Sequence, residues 1–139
     1  MKKNYILLLM ALSMLSFGFG QTIATIDRDN IVGPTATSTV ANMSSIGLTR
    51  GSGVDLSTTN TNFTSRNWTI GGDQAAAEAA NDYIQWSISA NSAFEITLTD
   101  LDIRLRRNAN GPSSWQIFYS LDNFATAGVA LDTPQTLAS

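Results

Sequence analysis

The chain has no cysteine and no histidine in 139 residues. The lack of histidine removes Ser-His-Asp and Cys-His nucleophile systems, the usual zinc ligands and His-metal oxygenase sites together. The lack of cysteine means that an exported chain of this kind has no disulfide. Core burial or a bound ion must then hold it together. Lysine occurs only as Lys2 and Lys3, and from residue 21 onward six arginines face eleven carboxylates, a net charge of -5. That balance argues against a nucleic-acid partner, because affinity for phosphate backbones needs clustered positive charge.

The one long apolar run is at the start. "MKKNYILLLMALSMLSFGFG" places two lysines before a stretch rich in Leu, Ile and Met and ends in Gly18 and Gly20, a small-x-small site. It reads as a secretory signal peptide over 1–20, cleaved before Gln21, since the apolar part is shorter than the roughly 20 residues that span a bilayer. The expected location is therefore secreted or at a bacterial cell surface, with no membrane span after cleavage. Residues 21–139 make one small domain, too short for two independent cores.

Between Thr35 and Thr69, 19 of 35 residues are Thr, Ser or Asn, and apolar positions are too sparse for a helical stripe. Short strands are expected there, with "TIATI" at 22–26 first and "SIGLTRG" at 45–51 second. "DQAAAEAAN" at 73–81 is the one helical candidate, with Asp73 placed to cap it. Further on, Ile84, Trp86 and Ile88 alternate with polar residues, as do Phe94, Ile96 and Leu98, then Leu101, Ile103 and Leu105, and finally Trp115, Ile117 and Tyr119. The apolar parity changes at Thr99-Asp100, which predicts a bulge or bend there. "NANGP" at 108–112 is a turn. Short strands and turns in this order predict an all-β, antiparallel β-sandwich, jelly-roll-like. A jelly roll needs about eight strands and six or seven can be marked, so a C-terminally incomplete or truncated domain stays open.

The elements "LTRG" at 48–51, Asn62, Phe63 and Trp68, the strand "LDIRLRR" at 101–107, "GPSSW" at 111–115 and "SLDNF" at 120–124 resemble a group of secreted Bacteroidetes-type β-sandwich domains. The likeness covers nearly the whole mature chain. It implies a jelly-roll-like fold of the sort attached to exported nucleases, adhesins and carbohydrate-active proteins, and it does not fix an activity.

Three sets of residues carry candidate chemistry. Trp68, in a polar region, is placed to stack on a sugar ring, whereas Trp86 and Trp115 lie in the apolar register of their strands and are expected in the core. Arg104 and Arg106 alternate with Ile103 and Leu105; they read either as a solvated face paired with Asp102 or Glu95, or as a strip for acidic ligands. Asp27, Asp29 and Asp122 are oxygen donors of the type a structural calcium would use, and each is equally a turn residue. Carboxylates such as Glu95, Asp100 and Asp102 show no glycosidase spacing. The expected function is a noncatalytic exported module for binding or assembly, directed at a glycan or cell-surface partner. The alternative is an accessory N-terminal part of a longer secreted hydrolase.

Overall fold

The clearest alternation in the sequence builds the longest ladder. In the computed structural model, which describes residues 21–27, 32–38, 40–58 and 62–138, strand β3 (Met43–Arg50) pairs antiparallel with β6 (Ile84–Ala90). On β6, Ile84, Trp86, Ile88 and Ala90 are half-buried while Gln85, Ser87 and Ser89 are exposed, the period-two division of a strand with one wet face. Ser44 and Ser89 meet on that outer face, hydroxyl to hydroxyl at 2.7 Å.

Strand β3 reaches this register through a bulge. Ile46 lies opposite Ser87 and Thr49 opposite Gln85, so Gly47 and Leu48 together face Trp86. The extra residue changes the parity of β3, turning Met43 and Ser45 inward before it and Leu48 and Arg50 inward after it. Glycine is needed at the bulge because a Cβ on Gly47 would lie 1.8 Å from the Pro34 carbonyl oxygen. That same oxygen accepts the Leu48 N–H at 3.0 Å, which brings the chain before β2 (Ala36–Ser38) against β3. Strand β2 in turn pairs antiparallel with β1 (Ala24–Ile26).

Helix α1 (Gln74–Ala80) forms where the alanine run predicts it. The Asp73 carboxylate accepts the Ala76 N–H at 3.0 Å, and Asn81 closes the C-terminus in the left-handed region at φ 57°. Gly51 and Gly53 lie so close to this end that a Cβ would meet the Asn81 and Ala80 carbonyl oxygens at 2.1 and 1.9 Å. Next to Gly53 is Val54, 5% exposed, the buried apolar side chain among the described residues. From there the hairpin β4 (Asp55–Leu56) and β5 (Ser65–Arg66) continues.

In the C-terminal part, β7 (Ser114–Trp115) pairs with β10 (Gln135–Thr136), and β8 (Phe118–Tyr119) pairs with β9 (Val129–Ala130). The two ladders are one interrupted hairpin. At the interruption Asp132 replaces a strand partner, its carboxylate accepting the Ile117 N–H at 3.2 Å and its carbonyl the Gln116 side-chain amide at 2.6 Å.

The fold is all-β, with small antiparallel sheets and one short helix. Each sheet among the described residues has two strands, and no barrel closes. No described helix is long and apolar enough to cross a membrane, and the leader at 1–20 lies outside the described residues.

One expectation is corrected here. Phe94–Leu98 and Leu101–Leu105 alternate like core strands, yet they belong to no ladder. No backbone N–H or C=O from residue 95 to 107 meets a hydrogen-bond partner among the described residues. Alternation supplies an apolar face, but a strand also needs a neighbour for its backbone groups. Without one, Phe94 is 53% exposed, Leu98 60% and Leu105 41%, against the core positions expected. No ladder among the described residues runs through Thr99-Asp100, so the parity change there forms no bulge; the bulge at Gly47-Leu48 belongs to β3. Ile96, Ile103, Trp115 and Ile117 are half-buried.

Candidate functional site

Trp68 is held in place by the residues on either side of it. Asn67, in the left-handed region at φ 66°, turns the chain out of β5, and its side-chain amide donates to the Asp55 carboxylate at 2.5 Å. On the other side the Thr69 N–H donates to the Asp82 carboxylate just past α1. Two short tethers, to β4 and to the residue that follows the helix cap, therefore fix the backbone of a loop that would otherwise follow only its own turn preferences.

The half-buried Trp68 ring lines a cleft of about 440 Å³. One wall is Ser65, Arg66, Asn67, Trp68 and Ile70; the other is the turn at Asn108, Asn110 and Gly111. That turn is built locally and anchored remotely. The Asn108 side-chain oxygen accepts the Asn110 N–H at 3.1 Å, and the Asn108 carbonyl accepts the Gly111 N–H at 3.0 Å. Arg107, placed by sequence at the start of the turn, donates to the Gly111 carbonyl at 3.3 Å and to the Leu137 carbonyl at 2.8 Å. It ties the turn to the strand end beyond β10.

The cleft thus joins an aromatic face to three asparagines and a guanidinium. The Arg66 guanidinium and the Asn110 amide make no hydrogen bond among the described residues. Such a set of donors and acceptors beside an aromatic ring is chemically suited to hydroxyl groups and an apolar face together.

A second depression of about 420 Å³ runs beside β3, between Val32–Thr35 and Ile46–Arg50. Its cation is already engaged. Arg50 donates to the Ser65 hydroxyl, the Val32 carbonyl and the Thr64 carbonyl, each at 2.8 Å, and its guanidinium lies 3.8 Å from the centre of the Phe63 ring. Partial burial holds its pKa below the ordinary arginine value. Arg50 is a structural clamp that joins β3 to β5 and to the chain before β2.

The other candidates do not join Trp68. Arg104 and Arg106 are exposed, neither lines the cleft, and neither forms an ion pair among the described residues, so the expected pairing with Asp102 or Glu95 is absent there. Asp29 lies outside the described residues. Asp122 sits in its own turn, where its carboxylate accepts the hydroxyls of Ser120 at 2.6 Å and Thr126 at 2.7 Å, while Ser120 accepts the Asp122 and Phe124 N–H groups. Those donors hold its pKa below the usual carboxylate range. Asp27 follows β1, and no group of three His, Cys, Asp or Glu side chains converges among the described residues.

Trp68 was legible in sequence as the tryptophan outside an apolar register. Arg66, Asn108 and Asn110 were not. No short-range signal marks a turn 40 residues away as the opposite wall. No family model, curated protein or solved structure matches the chain.

Proposed function

We propose that the chain is an exported, noncatalytic binding module that takes a saccharide against Trp68, in the cleft between β5 and the 108–111 turn. The observation that carries this reading is a tethered tryptophan ring beside Asn67, Asn108, Asn110 and Arg66 in one concavity. A pyranose offers an apolar C–H face for the ring and hydroxyls for the amides, so the two halves of the lining match the two halves of the ligand. Export is supported by the lysine-led apolar leader ending at Gly20. The noncatalytic reading is supported by a lining without a carboxylate, since glycoside hydrolysis uses a carboxyl pair across the scissile bond.

The test is a panel of immobilised neutral and acidic polysaccharides, with retained protein quantified for wild type and Trp68→Ala. Because the ring is only half-buried and its backbone is tethered through its neighbours, Trp68→Ala should keep its melting temperature and lose about tenfold or more in affinity. Equal retention of the variant on every saccharide that binds wild type would reject the cleft.

A further inference from the structure

We infer that the Trp68 cleft selects acidic saccharides, with Arg66 reading a carboxylate or sulfate on the sugar that Trp68 stacks; this rests on the saccharide reading above. Across the cleft lining there is one cation and no carboxylate. This contrasts with a chain that from residue 21 onward carries eleven carboxylates and six arginines. Two carboxylates hold the loop without lining the cleft: Asp55, opposite Arg66 in the β4–β5 ladder, accepts from Asn67, and Asp82 accepts from the Thr69 backbone.

Arg66 differs from Arg50 and Arg107, which have structural partners. Arg50 makes three hydrogen bonds and a ring contact, and Arg107 bridges two carbonyls. Arg66 is exposed at the end of β5, next to the Asn67 turn, and its guanidinium makes no hydrogen bond or ion pair among the described residues. A planar guanidinium with open donors suits bidentate capture of a carboxylate or sulfate, and the neighbouring asparagine amides suit the adjoining hydroxyls. Arg104 and Arg106 are also exposed, but neither lines this cleft.

The experiment uses oligogalacturonate and its fully methyl-esterified form, which share a backbone and differ in charge. Calorimetric titrations compare wild type, Trp68→Ala, Arg66→Gln and the double variant Arg104→Gln/Arg106→Gln at low and moderate salt. Wild type should bind the free acid about tenfold more tightly than the ester, with the preference shrinking as salt rises. Arg66→Gln should abolish the preference and retain the ester affinity, Trp68→Ala should weaken both ligands, and the double variant should match wild type. Binding that needs Trp68 but shows no acid preference, or a preference that survives Arg66→Gln, overturns the inference and leaves the saccharide site standing. Loss of the preference in the double variant alone would move acid recognition to the Leu101–Arg107 segment and overturn it as well. Failure of both ligands to bind wild type, or binding indifferent to Trp68, rejects the inference along with the site.

Discussion

The regular apolar alternations at 84–88 and at 94–105 end up in different states. Between Met43 and Ala90 the chain is paired, bulged, capped and clamped: β3 and β6 share a ladder, Arg50 joins three segments, and Asp73 and Asn81 cap α1. Between Glu95 and Arg107 no backbone group is bonded among the described residues, and Phe94, Leu98, Leu101 and Leu105 face outward. Alternation is common to both, so it does not decide the outcome. What the first region has, and the backbone of the second lacks among the described residues, is a set of nonlocal partners: the Pro34 carbonyl for the bulge, with Val32, Thr64 and Ser65 for the arginine of the same strand.

The contrast breaks most sharply at Gly47. Gly47→Ala places a methyl group against the Pro34 carbonyl oxygen, a backbone atom that cannot rotate away. The bulge or the neighbouring chain must shift, at a cost of about 3 kcal/mol, measurable as a lower urea midpoint with an unchanged slope.

Arg50→Lys comes next. Lysine keeps the charge but loses the fork that reaches Ser65, Val32 and Thr64 together, and the flat contact with Phe63. The loss should be about 2 kcal/mol. If stability were unchanged, the clamp would not distinguish this region from the other.

Asp122 should give a smaller effect that depends on pH. Its hydroxyl partners lower its folded pKa beneath the unfolded value, so the stability it contributes is present above the unfolded pKa and lost as pH falls through the folded one. Asp122→Asn should therefore flatten the acid limb of a melting-temperature profile and do least to its shape near neutral pH.

Leu98→Ser should do least. The side chain is 60% exposed on a segment without a ladder, so the change should stay within about 0.5 kcal/mol, where truncation of a packed strand leucine costs several times more. A large loss at Leu98 would erase the difference between the two regions and restore the strand that periodicity predicts.

These particulars show what could be read in the sequence. The helix at 73–81 was legible down to its Asp73 cap, because capping and alanine propensity are local. The β6 strand was legible because its partner, β3, satisfies the pattern that its own residues set. The parity change at Thr99-Asp100 was a correct observation about residues and a wrong one about structure, because periodicity does not say whether a partner strand exists. Trp68 stood out by lying outside any apolar run. Its companions Asn108 and Asn110 looked like turn formers, which they are, and their place on the far wall depends on Arg107 reaching Leu137, a contact between residues 30 apart.

Amide hydrogen exchange with and without a saturating acidic oligosaccharide reports on both walls of the cleft and on the unladdered segment in one experiment. Exchange should be slow in β3 and β6 and fast from 95 to 107 in the free protein. On binding, protection should rise at 65–70 and at 108–111 together, with 95–106 unchanged. Protection confined to 95–106, or the absence of any change at the Trp68 loop, would contradict binding at the cleft.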